Sequence, residues 1–441
     1  MLSLQVIREQ TEAVRRACAQ RAMDVPIDDI LERDAAHRAL LGEVEAMRAT
    51  RNAASRAIGG AKDPAERQRL IEEQRAVGNA LDLAEERFRE LDAALHDLLL
   101  QVPNLFHADV PVGGESDSVV VTEGDGATGE EWRLDVPRRV ADEPAPAELD
   151  GRRPHWEIGE SMGLIDFERG AKVSGSRFYI LRGAAAALQR SLITWMLDLH
   201  CEQGYGEVYV PFVVKEEMLV GTGQLPKFAD TMYHDAEEDL WLVPTAEVPV
   251  TNMYRDEILS ASVLPLLHVA YTPCFRRERM SAGRDVRGIK RGHQFDKVEM
   301  VRFSTEDASW DALDVLLDHA IEVVRQLGFK YRVLRLATAD LTFASAMTYD
   351  IEVWAPGSRE WLEVSSVSNF LDFQARRANL RYRDAEGHIR QMHTLNGSGL
   401  ALPRTLATLL EQYERADGIE VPAVLRPYLG GRTLIEAQPR I

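Results

Sequence analysis

Between Cys274 and Met300 the chain carries eight basic and four acidic residues, in the run Cys-Phe-Arg-Arg-Glu-Arg-Met-Ser-Ala-Gly-Arg-Asp-Val-Arg-Gly-Ile-Lys-Arg-Gly-His-Gln-Phe-Asp-Lys-Val-Glu-Met. Both ends read as strands, and the middle as a basic loop. Strand alternation puts Arg276 and Glu278 on one face and Arg277 on the other. It also puts Phe295 and Glu299, four residues apart, on a shared face. Such a set suits a ligand with a phosphate, a flat base and an ammonium group. Guanidinium meets phosphate, the ring stacks on the base, and a carboxylate meets the ammonium. A solvated hairpin whose charges pair with one another accounts for the same residues. Neither a G-x-G-x-x-G fingerprint after a strand nor a P-loop spacing is read in the chain, so any nucleotide is expected to bind without a Rossmann fold or a P-loop.

The bulk charge points the other way. Lys and Arg total 52 against 71 Asp and Glu, a net charge of −19, which by itself disfavours a nucleic-acid partner. Cys18, Cys201 and Cys274 lie far apart and form no metal or redox spacing, so reduced thiols in a cytoplasmic protein are expected. Met1 to Gln20 alternates charge with single apolar residues and shows no signal peptide, and no run is long and apolar enough to span a membrane.

The elements that must carry these residues fall into two styles. Apolar or small residues recur at steps of three and four in Leu70, Gln74, Val77, Leu81, Ala84, Phe88, Leu91, Leu95 and Leu98, a heptad seam broken only by Gln74. A weaker seam precedes it at Leu40, Val44, Met47, Ala54 and Ile58. Gly59-Gly60 is expected to end the first helix, Asp63 to cap the second, Pro64 to start it, and Glu66 to complete a capping box. The pattern predicts an antiparallel hairpin whose second helix is about 35 residues, roughly 50 Å, long. Around its turn Arg48, Arg51, Arg56, Lys62, Arg67, Arg69 and Arg75 outnumber Asp63, Glu66, Glu72 and Glu73. A basic tip on an acidic chain is the footprint of a phosphate-contacting arm, although an oligomerising coiled coil uses the same seam. Residues 111–154 read as a Gly- and Pro-rich connection with short strands such as Val119–Val121. Beyond it, a helix over Ala184–His200 and strands over Glu207–Val214, Leu266–Arg276, Gln294–Phe303, Tyr349–Trp354, Leu362–Ser366 and Met392–Leu395 are expected.

Phe275-Arg276-x-Glu278, the loop, Arg291 and His293-Gln294-Phe295 resemble motif 2 of the class II aminoacyl-tRNA synthetases. Further words resemble the seryl-tRNA synthetases of bacterial type: Gly221–Phe228, Thr245-Ala-Glu-Val-Pro-Val-Thr-Asn252, Asp296–Met300, Ser368-Asn369-Phe370, Asp372–Arg377 and His393–Leu400 running into Pro403-Arg404-Thr405. The resemblance covers nearly the whole chain. It implies an α+β fold with a tRNA-binding helical arm over 1–110, a connection over 111–154, and a class II catalytic domain over 155–441 built on an antiparallel β-sheet flanked by helices. It implies Arg276, Glu278 and Arg404 as catalytic residues. The ATP set is Arg276, Arg277, Glu278, Arg291, Phe295, Glu363, Val364, Ser365, Ser366 and Arg404, with Glu363 and Ser366 on Mg²⁺. The L-serine set is Thr245, Ala246, Glu247, Arg276, Glu299 and Ser398, with Glu299 meeting the ammonium. Arg48, Arg51, Arg56, Lys62 and Arg67 would contact tRNA bound to the partner of a homodimer, with Ala184–Val214 at the dimer interface. Three features depart from the commonest pattern: Arg277 stands where Ser is common, Arg279-Met280 replaces Ala-Gly, and Pro403 replaces Gly. Relatives that load a carrier protein lack the arm, and no cysteine sits where a zinc-dependent relative would need one.

Overall fold

The computed structural model describes residues 1–143, 152–278 and 287–438, in two compact units, Met1–Pro103 and Asn104–Ile441. The first is the helical arm. Helix α1 (Ile27–Gly60) and helix α2 (Pro64–Leu99) lie antiparallel. Every residue of the two seams is buried or half-buried while their neighbours are largely exposed, as a two-stranded 3.5-residue repeat requires. Val44, Leu81 and Ala84 form the packed centre, flanked by Leu40, Met47 and Phe88. The Asp63 carboxylate caps α2, accepting from the Ala65 N–H at 3.2 Å, one residue short of the capping-box position, with Pro64 in the first turn. Gly59 and Gly60 differ from expectation: both sit inside the last turn of α1, and extended Ala61 ends the helix.

The second unit is built on one nine-stranded sheet: β1 (Val119–Asp125), β2 (Glu130–Arg139), β3 (Gly206–Glu207), β4 (Leu266–Phe275), β5 (Gln294–Ser304), β6 (Lys330–Arg335), β7 (Met347–Ala355), β8 (Glu360–Leu371) and β9 (His393–Ala401). Their order is β2-β1-β6-β7-β8-β9-β5-β4-β3, antiparallel except for the β4–β3 pair. Helices α3 (Ala184–Glu202), α4 (Ser309–Gln326) and α5 (Leu402–Gln412) bury apolar stripes against it, with Leu192, Leu316 and Leu406 fully inaccessible.

Three findings correct the sequence reading. The expected strand over 207–214 breaks into Gly206–Glu207 and Val213–Lys215, with Pro211, which has no N–H to give a ladder, between them. Residues 119–139, read as part of a connection, supply two strands of the main sheet. Gly124-Asp-Gly-Ala-Thr-Gly129 does have the G-x-G-x-x-G spacing, but it turns β1 into β2 as a hairpin. The Asp125 carboxylate accepts from the Ala127 and Thr128 N–H groups, so no helix N-terminus follows to receive a phosphate. Among the described residues no helix is long and apolar enough to cross a membrane.

Candidate active site

A cavity of about 490 Å³ opens on the face formed by β4, β5, β7, β8 and β9 and the start of α5. Arg276 closes the hairpin of β4 and β5: its N–H donates to the His293 carbonyl at 2.9 Å, and the His293 ring lies 2.9 Å from its carbonyl. These bonds hold the Arg276 backbone, and the guanidinium stacks on Phe295 at 5.2 Å and donates to the Pro244 carbonyl at 3.3 Å. Glu278 sits at φ +46, a strained conformation for a non-glycine residue, at the entrance of the loop, and Arg291 lies 3.7 Å from its carboxylate. On the opposite wall Arg404, in the first turn of α5, donates to the Glu363 carbonyl at 2.7 Å and its carboxylate at 3.0 Å.

Two β-bulges shape that wall. Ile351 pairs with Ser365 and Glu352 with Glu363, so Val364 is the unpaired residue. The bulge breaks strict alternation and brings Glu363, Val364 and Ser366 to the cavity, while the Ser365 hydroxyl turns away to the Ser398 carbonyl at 2.6 Å. In β9, Gly399 is passed over between Val298–Leu400 and Glu299–Ser398. A Cβ there would stand 2.6 Å from the His200 ring, so the bulge needs glycine.

The deep end is charged and sealed. Glu247 is buried and lines the cavity; its carboxylate accepts from Gln374 at 2.6 Å, and Gln374 in turn accepts from Thr394 at 2.6 Å. Burial, helped by the charge of Glu299, raises the Glu247 carboxyl to about 7. Glu299 is fully inaccessible, ion-paired with Lys297, and accepts from Ser398 at 3.4 Å. Burial also acts to raise Glu363, but the Arg404 charge and hydrogen bond hold it below the usual carboxylate range. Asp350, facing the same cavity, is pushed well above its range by burial and by Glu363, and one of its oxygens is buried with no hydrogen-bond partner.

Eleven of the expected residues line the cavity: Thr245, Glu247, Arg276, Glu278, Arg291, Phe295, Glu363, Val364, Ser366, Ser398 and Arg404. Four do not. Arg277, past the end of β4, lies over the Tyr233 ring at 5.2 Å; Ala246 and Ser365 are buried behind the wall; Glu299 stands one layer below, held by Lys297. Sequence reading passed over Lys297, Asp350, Asn396 and Thr222, which line the cavity. Strand alternation with Phe295 and Glu299 would have found Lys297. Arg279 and Met280 lie outside the described residues.

Comparison with known proteins agrees with this geometry. Residues 1–106 match the seryl-tRNA synthetase N-terminal domain, and residues 228–413 match the tRNA synthetase class II core domain (G, H, P, S and T). The serine–tRNA ligase of Thermomicrobium roseum is 54% identical over 443 residues, all of this chain and 96% of that one. The chain belongs to the seryl-tRNA synthetase family. The Chloroflexus aurantiacus serine–tRNA ligase is likewise 54% identical, over 98% of this chain and 99% of its own. The seryl-tRNA synthetase structure from Pyrococcus horikoshii, complexed with ATP, superposes with a TM-score of 0.86 at 33% identity, covering 99% of this chain and 100% of that one. Both the arm and the sheet unit are thus those of a seryl-tRNA synthetase.

Proposed function

We propose that the cavity joins L-serine to ATP and that the arm brings serine tRNA to receive the product. Adenylation needs no protein nucleophile. A serine carboxylate oxygen attacks the α-phosphorus, the bond to the bridging oxygen breaks, and pyrophosphate leaves. The terminal ribose hydroxyl of the tRNA then attacks the acyl carbon and releases AMP. The enzyme must align two anions and offset the charge that builds between them. Arg276 against Phe295, facing Arg404 and Glu363, supports that alignment, with the ring placed for the base and the guanidinium groups for the phosphates. Glu363 and Ser366, with the unpartnered oxygen of Asp350 beside them, suit a Mg²⁺ ion arriving with ATP, which would neutralise phosphate charge.

The deep end supports serine. Glu247 reaches the cavity and suits the ammonium, while Glu299, bonded by Ser398 and steadied by Lys297, suits the hydroxyl. A buried acceptor left unpaired penalises alanine, and the sealed wall penalises the extra methyl of threonine. In the arm, Arg56, Lys62 and Arg67 are exposed near the turn and suit phosphate contact. Arg48 is ion-paired with Glu85 at 2.8 Å, and Arg51 occupies a half-buried seam position after Met47, so both serve the hairpin first. A homodimer through Ala184–Val214 fits Tyr209, 85% exposed. The observation that carries the reading is a cation-and-ring clamp on one side of a cavity whose deep end holds the buried Glu247 carboxylate, with Glu299 one layer behind it. Serine-dependent ATP–pyrophosphate exchange, with threonine, alanine and glycine as controls, tests it. Exchange with serine alone is expected; no exchange with serine would overturn it.

A further inference from the structure

One buried histidine–carboxylate hydrogen bond lies outside the cavity and is not used by the chemistry above. His155 and Glu411 are both fully inaccessible, with the imidazole Nδ1 2.8 Å from the Glu411 carboxylate. The same carboxylate accepts from the His155, Gly357 and Ser358 N–H groups at 3.0, 2.9 and 2.9 Å and from the Ser358 hydroxyl. Glu411 is in the last turn of α5, two turns along one face from Arg404. Gly357 and Ser358 form the turn between β7 and β8, the strands that bring Asp350 and Glu363 to the cavity. Burial acts to raise Glu411, but His155 and these donors hold it below the usual carboxylate range.

The other imidazole nitrogen faces the catalytic loop. His155 Nε2 accepts the Ile289 N–H at 3.2 Å. Since Nδ1 donates to Glu411, a single tautomer serves both bonds. Ile289 is buried, and its neighbours Lys290 and Arg291 line the cavity. Lys290 is ion-paired with Glu360 at the start of β8 and lies 5.7 Å over the Trp156 ring. Gly288, at φ +76, admits the imidazole: a Cβ there would stand 2.0 Å from Nε2.

We infer that His155 is a positioning residue for ATP. Together with Glu411 it locks the outgoing root of the loop, and so Arg291, to the helix that carries Arg404 and to the strands that carry Glu363. It touches no reacting atom. Both walls of the phosphate site are thereby held by one buried carboxylate, so their spacing is set before ATP enters. The inference rests on the reading of the cavity as an ATP and serine site.

The test compares His155→Asn with His155→Gln in the full-length protein by pyrophosphate exchange. Asn keeps a donor near Nδ1 for Glu411 but cannot reach Ile289; Gln places an acceptor near Nε2. Asn is expected to raise the KM for ATP about tenfold, the factor one ordinary hydrogen bond supplies. The KM for serine should stay within twofold, and Gln should recover most of the loss. If His155→Asn does not fold, Glu360→Gln loosens the same root from outside and should raise the ATP KM about threefold, near the lower end of what such a bond supplies. Unchanged ATP KM in the folded variants, or equal rises for ATP and serine, would overturn the positioning role while leaving the synthetase reading intact. No exchange by the unmodified chain would overturn both.

Discussion

In the arm, Lys62 and Arg67 stand in solvent on a hairpin whose core is little more than Val44, Leu81 and Ala84; in the sheet unit, Glu247 and Lys297 line the deep end of a cavity with Glu299 sealed behind them. The contrast is one of dielectric. Charges in water act at range, are screened by salt and tolerate exchange of one cation for another. Charges in the interior act at contact, shift one another's protonation and tolerate almost no change of geometry. Under the proposed function, tRNA binding and bond chemistry are divided between two physical regimes, and variants in each region should differ in kind.

The largest effect belongs to the cavity. Arg276→Ala removes a guanidinium that stacks on Phe295 and donates to the Pro244 carbonyl, and should lower both pyrophosphate exchange and tRNA charging about 10³-fold. A loss under tenfold would break the assignment of Arg276 to the transition state. The arm gives the next effect with the opposite signature. Lys62→Glu with Arg67→Glu should lower kcat/KM for serine tRNA about 10²-fold, flatten its dependence on salt, and leave exchange within twofold. A matching fall in exchange would show that the two regions do not divide the work.

Much of this division was legible beforehand, for different reasons in each region. The arm writes its structure in a period: the seam from Leu70 to Leu98 predicted which faces of α2 are covered, and Asp63-Pro64 predicted where it starts. What failed there was local, Gly59-Gly60 lying within the helix. In the sheet unit the long strands β4 and β5 were legible from alternation, and the family words brought eleven residues to one cavity. Of the four that missed it, Ser365 shows why sequence order is not enough. Sequence order does not say which residues a bulge displaces: Val364 and Gly399 are each left unpaired, and the shift turns Ser365 away from the cavity and sets Ser398 opposite Glu299. Lys297 and Asp350 were passed over because single charged residues in strands look like surface until tertiary packing covers them. Of the strands from 119 to 139, Val119–Val121 was read as a short strand, while β2 was hidden because it is exposed along nearly its whole length and so carries little apolar period.

A third variant sharpens the buried side. Glu247 in the folded protein titrates near 7, raised by burial and by Glu299. A raised carboxyl holds its proton in the folded state between its ordinary value and about 7, so its ionisation lowers stability as pH rises through that window. The serine ammonium prefers the ionised form. The KM for serine should therefore fall about tenfold between pH 6 and 8 while the KM for ATP stays flat, and Glu247→Gln should bind serine weakly at every pH without that slope. A slope that persists in Glu247→Gln would move the ammonium contact to Glu299.

The smallest expected effect tests the arm's own ion pair. Arg48 and Glu85 bridge α1 and α2 at 2.8 Å, with side chains 53% and 32% exposed. Such a pair contributes about 0.5 kcal/mol, less in salt. Arg48→Ala should therefore lower the melting temperature of the arm by no more than about four degrees. Its effect on charging decides what Arg48 is for. If the residue serves the hairpin, Glu85→Ala and Arg48→Ala should be equally mild in charging, because each removes only the pair. If it also meets phosphate, Glu85→Ala frees the cation and should improve charging slightly, while Arg48→Ala lowers it about threefold and reduces the salt slope by about one. A double-mutant cycle across the two residues separates these outcomes, since the coupling measured in stability and the coupling measured in charging agree only in the first case.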